Sequence, residues 1–173
     1  KRLSTEKIQS KLTLDSNTVN NKFRINIKKS DLLKKNLPDN YIYFHAKRKI
    51  LNELKWGVNE LKILFGDILK YTDYLILTKD IEEDENTKIF KENFNSFDFK
   101  TQKFIDNSQK IIFFDNIDGE DLYNTIINSK KVVAFHGMMT NLASINKHKV
   151  LDLFHCNINN WDDYRNYRNS FYE

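Results

Sequence analysis

Residues Ile111–Phe154 run IIFFDNIDGEDLYNTIINSKKVVAFHGMMTNLASINKHKVLDLF, and their pattern decides the fold class. Ile111–Phe114 (IIFF) is an unbroken apolar run of strand length, and Leu122, Tyr123, Ile126 and Ile127 recur after it at helical spacing. Asp118 suits the N-cap of that helix, and Asp121 lies in its first turn, where a carboxylate favours the helix dipole. Val132–Phe135 is a second apolar run, Met138–Asn146 a second helix, and Val150–Phe154 a third run. Strands that are apolar at consecutive positions, alternating with helices, imply a parallel sheet covered on both faces.

The same unit extends upstream. Tyr41–His45 (YIYFH) and Tyr74–Leu77 (YLIL) read as strands. Between them Gly57–Tyr71 places Val58, Leu61, Leu64, Phe65 and Ile68 on one helical face. Ile81–Phe94 is a weaker, acidic helix, Phe97 and Phe99 mark a short strand, and Trp161–Tyr172 closes the chain as an amphipathic or irregular helix. Phe23, Ile25 and Ile27 alternate with polar residues as a short edge strand does, whereas Lys1–Asn21 keep no period. Pro38-Asp39-Asn40 is a turn. The expected organisation is a tail or remnant of a preceding domain over residues 1–38, then one α/β domain over 39–173. That domain is a doubly wound, mostly parallel sheet with ligands at the carboxyl ends of its strands. The chain starts at Lys1 rather than Met, as an excised fragment would.

Composition narrows the class. The 173 residues are 13% aromatic and 30% charged, which excludes a disordered tail. No apolar run approaches the roughly 18 residues of a spanning helix. Cys156 is the single cysteine, so a reducing, cytoplasmic compartment is expected and a cysteine-based metal site is excluded. The net charge of +4 is concentrated before Lys49. It forms a solvated basic face or meets anions: phosphates, nucleic acid or the anionic inner face of a membrane.

Candidate site residues stand at the strand ends. His45 is followed by Ala46 and three consecutive cations, Lys47, Arg48 and Lys49. Asp115-Asn116 follow the IIFF run, His155-Cys156 follow Phe154, and His136-Gly137 opens a helix. A helix N-terminus attracts anions through its N–H groups and dipole. Gly137 lacks a Cβ and would let a phosphate approach the backbone. Met138, Met139 and Thr140 would add amides, Thr140 a hydroxyl, and His136 would donate to a diphosphate oxygen or stabilise a leaving group. The plainer reading is a tight strand–helix turn capped by His136.

Other chemistries lack their residues. His45, His136, His148 and His155 have no metal-ligand spacing. No nucleophile elbow, P-loop or G-x-G-x-x-G occurs. His148 between two lysines reads as a solvated loop, Met138 and Met139 as core, and Cys156 as a buried small side chain. The closing WDDYRNYRNSFYE could stack on bases but more simply packs its rings across the sheet edge, so nucleic acid is not the expected partner.

The stretch Ile111–Phe154 resembles the C-terminal, donor-binding domain of two-domain (GT-B type) glycosyltransferases, a Rossmann-like half of that fold. His136-Gly137 with Thr140-Asn141 looks like the HG-x-x-T/S-N turn of several such families, among them bacterial envelope-polysaccharide transferases and the family of O-linked GlcNAc and xylose transferases. Tyr41–Lys49 is similar to the first strand of that domain, where a basic residue meets donor phosphate. The resemblance covers about Asn40 to Phe154. It implies a glycosyltransferase of polysaccharide biosynthesis that takes a sugar from a nucleotide-activated donor to an envelope glycan or lipid-linked acceptor, without a cofactor or a required metal. It implies donor-phosphate contacts by Lys47, Arg48, Gly137, Met138, Thr140 and Asn141, with His136 catalytic. His45, Asp115, Asn116 and His155 become candidates for the donor's sugar or base. The chain departs from the family in having no clear carboxylate at the helix position that grips ribose or sugar: Asp152 lies inside a strand, and Asp115 and Asp118 are only candidates. The other function class is a non-catalytic Rossmann-like module that binds nucleotide or nucleic acid.

Overall fold

The computed structural model describes residues 29–80 and 85–153. The strand expected around Phe23–Ile27, the terminal helix, His155 and Cys156 lie outside them.

The apolar runs form the strands β1 (Tyr41–Ala46), β2 (Tyr74–Lys79), β5 (Ile111–Asp115), β6 (Lys131–Phe135) and β7 (Val150–Leu153). Two shorter strands, β3 (Asn95–Asp98) and β4 (Lys103–Ile105), join them. The helices are α1 (Asp31–Asn36), α2 (Arg48–Leu54), α3 (Val58–Ile68), α4 (Glu85–Asn93), α5 (Gly119–Ile127) and α6 (Met138–Ile145). The strands make one seven-stranded sheet in the order β4-β3-β5-β2-β1-β6-β7. Every neighbouring pair is parallel except β3–β4. The expected α/β, doubly wound and mostly parallel sheet is therefore present.

Strand periodicity sorts the side chains into two cores. Ile42, Phe44, Leu75, Leu77, Ile111, Phe113, Val133 and Phe135 face α2, α3 and α4. Tyr41, Tyr43, Ile76, Ile112, Phe114, Val132 and Ala134 face α1, α5 and α6. The first core is aromatic: Phe65 packs edge-on against Phe44 at 5.0 Å and Phe94 at 5.7 Å, and Phe90 against Phe113 at 5.3 Å. Each such ring contributes about 1.5–3 kcal/mol by burial. Connections that move from β1 towards β3 carry their helices on the first face, and those moving towards β7 carry them on the second. Right-handed crossovers require this division.

The chain before Asp39 belongs to this unit from Ser30 onward, so the expected boundary at residue 38 falls inside the packed domain. Leu33 of α1 is fully buried in the second core. Ser30 caps α1 and also donates its N–H and hydroxyl to the buried Asp121 of α5. Asp118 caps α5 as expected, through the Asp121 amide at 2.8 Å. Asp121, in the first turn of α5, is also the tie that fastens α1 to that helix.

Candidate functional site

The strand order reverses at β1. The chain first adds β2, β3, β4 and β5 on one side of it, then crosses to place β6 and β7 on the other. The crevice beyond the carboxyl ends of β1 and β6 is thus the topological switch point, where ligands of such sheets bind. His45, Asp115 and His136 all end strands on that one edge.

Lys47 and the His136-Gly137 turn meet in the crevice. The Lys47 ammonium donates to the His136 carbonyl at 3.2 Å. It stands 3.4 Å from where a Cβ on Gly137 would sit. Gly137 has φ 159° and ψ −153°, a region that essentially only glycine occupies. The first-turn amides of α6, from Met138, Met139 and Thr140, have no acceptor within their own helix. No acidic residue lies in that first turn. A fixed ammonium, a helix N-terminus and a missing side chain together make a cationic, close-approach surface suited to an anion.

Thr140 is placed differently from expectation. Its hydroxyl is buried and local, donating to the Gly137 carbonyl at 2.9 Å and accepting the Gly137 N–H at 3.2 Å. It caps the helix, and the fully buried residue presents no hydroxyl to a ligand. The Asn141 amide also returns to the Gly137 carbonyl, at 3.1 Å. Met139 enters the second core, but Met138 is exposed at the helix start, not core as its apolar side chain suggested.

On the other flank of Lys47, His45 is a buried bridge. Its Nδ1 lies 3.0 Å from the Thr78 hydroxyl, which is 2.6 Å from the Tyr43 hydroxyl, and its Nε2 lies 3.2 Å from Asp80 Oδ1. Burial pushes the Tyr43 phenol well above its ordinary range, so it stays neutral within this chain. Asp80 Oδ2 accepts the Arg48 amide at 2.9 Å and so supplies α2 with the N-cap that Lys47 does not. The His45 bond first, then the Arg48 amide, hold the Asp80 carboxyl below its ordinary value, against burial. His45 positions Asp80 and the start of α2 instead of facing a ligand. The Arg48 side chain is exposed at that start.

Asp115 and Asn116 are not brought to this site. Three strand spacings, roughly 14 Å, separate β5 from β6. Strand parity also puts Asp115 on the first face, where it is buried and paired with Lys91 of α4. Asn116 adopts φ 52° and donates to Asp98 Oδ1 at 3.1 Å. His148, expected in a solvated loop, bonds Ser129 at 3.0 Å, and burial lowers its pKa.

Of two carboxylates at this edge, Asp80 escapes the sequence reading, and Asp152 is set aside there as lying inside a strand. Asp80 follows β2 on the same edge, and the strand-end rule that found His45 would have found it too. Asp152 lies within β7, where its side chain is buried and its Oδ2 is 2.8 Å from His136 Nδ1. The only signal was strand parity, which turns Asp152 and His136 to the same face.

A cleft of about 770 Å³ opens at the opposite, amino edge, lined by Lys35, Asp39, Asp73, Asp106 and Lys110 among others. Helix C-termini and three carboxylates against two lysines disfavour an anion there, so the switch-point crevice is the better candidate. Among the described residues no cluster of His, Cys, Asp or Glu could hold a metal ion, and no helix is long and apolar enough to cross a membrane. No family model, curated protein or solved structure matches the chain.

Proposed function

We propose that this chain holds a nucleoside-diphosphate-activated sugar at the crevice between β1 and β6, as the donor-binding part of a glycosyltransferase. The observation that carries the reading is the Lys47 ammonium, held against the His136-Gly137 turn where α6 begins. A diphosphate seated on that turn would receive α6 amides, the ammonium and the His136 ring. All of these gain strength as charge develops on the leaving group, so transfer needs no covalent nucleophile. The acceptor, an envelope glycan or lipid-linked sugar, would approach from outside this edge, and the excess positive charge would favour an anionic membrane face in the cytoplasm.

Titration calorimetry with uridine and guanosine diphosphates, set against the corresponding nucleosides, tests the reading. Lys47→Ala should weaken diphosphate binding about tenfold or more and leave nucleoside binding unchanged. Equal losses for both would remove the ammonium from the phosphate site. Salt-sensitive RNA binding with no diphosphate affinity would favour a nucleic-acid-binding module instead.

A further inference from the structure

We infer that the cleft at the amino edge of the sheet is a second binding site, for a neutral oligosaccharide. This site does not depend on the donor reading, whose crevice lies at the other end of the strands, roughly 17 Å away for strands of five residues.

The cleft, of about 770 Å³, opens where α1 ends, β2 and β5 begin and β4 ends. That volume suits a small ligand. Its floor is apolar and lies on one face of the sheet. Tyr74 stands beside Tyr41 in the β1–β2 register, and Phe104 stands opposite Phe97 in the β3–β4 register. Tyr41, Phe97 and Ile112 all belong to the second core, so Tyr74, Phe104 and Ile112 share its face. Ile112 is buried, but Tyr74 keeps 39% of its surface exposed and Phe104 50%. All three residues of β4 are exposed, so Phe104 is not there to fill a core.

The rim is polar and of mixed sign, with Asp39, Asp73 and Asp106 against Lys35 and Lys110. Among the described residues, the side chains of Lys35, Asp39 and Lys110 have no hydrogen-bond or ion-pair partner. Asp106 Oδ1 accepts the Ser108 amide at 2.7 Å, which leaves Oδ2. Buried Asn95 pins the loop that carries Asp106 and Lys110. Its Oδ1 accepts the Asn107 and Gln109 amides at 2.6 and 3.2 Å, and its Nδ2 donates to the Gln109 carbonyl at 2.7 Å. A rim whose backbone is held in advance loses little freedom on binding.

The mixed sign selects the ligand. Three carboxylates repel an anion, and two ammoniums repel a cation. A sugar hydroxyl donates to a carboxylate and accepts from an ammonium, so a neutral polyol uses both kinds of group. The C–H face of a pyranose is apolar and covers an aromatic ring, which Tyr74 and Phe104 offer.

The experiment titrates the full chain, labelled with ¹⁵N, with cellotriose, maltotriose and tri-N-acetylchitotriose, and follows its amide shifts. We expect at least one trisaccharide to shift the amides around Tyr74, Phe104 and Lys110, with an affinity unmoved by added salt. Tyr74→Ala and Phe104→Ala should each weaken that binding about fivefold or more, the loss of one ring face. Melting curves check that these variants stay folded, and Asp39→Asn and Lys110→Gln, which touch no ring, should each weaken the same binding by a smaller factor. Saturating uridine diphosphate should leave the sugar's affinity unchanged. Binding of none of the three sugars, equal affinity in the ring variants, or displacement by uridine diphosphate would overturn the site. So would salt-sensitive binding of an acidic or basic peptide at these amides in place of a sugar.

Discussion

Two histidine–carboxylate pairs flank Lys47, and they are built in opposite senses. In the β1–β2 pair the imidazole is interior and the acid faces out: His45 is 8% exposed and Asp80 42%. In the β6–β7 pair the acid is interior and the imidazole faces out, at 2% for Asp152 and 23% for His136. The buried member of each pair has its position set by the core, and the exposed member is what that position presents. One flank therefore presents a carboxylate that caps α2, and the other presents an imidazole beside a helix N-terminus. A histidine at a strand end is thus not in itself a ligand group; which partner is buried decides.

The largest effect on this contrast should come from removing the exposed imidazole. His136→Ala leaves a buried carboxylate without its ring partner and should cost about 2–3 kcal/mol by chemical denaturation. Adding Asp152→Leu should recover most of that loss. No recovery would mean that the two side chains are not energetically paired. Gly137→Ala comes next, at about 1–3 kcal/mol, because the backbone there suits glycine, and the new methyl would stand in contact with the Lys47 ammonium. Diphosphate affinity should fall with it, and a variant with unchanged affinity would separate the turn from the ligand. Lys47→Ala should leave folding nearly intact and weaken diphosphate binding by about 1.5–3 kcal/mol. Arg48→Ala should do less, since the bond that fixes this residue to Asp80 comes from its backbone.

The smallest effect belongs to Asp80. Its carboxyl is depressed in the fold, so its contribution to stability is complete above the ordinary value of 3.8 and is lost as the pH falls through the folded value. Melting curves of wild type and Asp80→Asn should differ at neutral pH, and the gap should close on acidification. A gap independent of pH would assign the effect to shape rather than charge.

The apolar runs and helical spacings of the chain by themselves determined five parallel strands, the helices between most of them and the doubly wound class. They succeed because a strand buried on both faces must be apolar at every position, and few other structures demand that. They also placed His45, Asp115 and His136 on one edge, since each ends such a run. Short elements stayed hidden. The seven-residue α2 holds only Ile50, Leu51 and Leu54 as apolar anchors, and all three residues of β4 are exposed, so neither carries a period. Tertiary structure alone decided the strand order, and with it the crevice at β1 and β6 and the roughly 14 Å that remove Asp115 from it. It alone joined Lys47 to His136 across 89 residues, and His136 to Asp152 across two strands in register. A hydrogen bond between neighbouring strands depends on register and face, and neither is a property of the residues nearby in the chain.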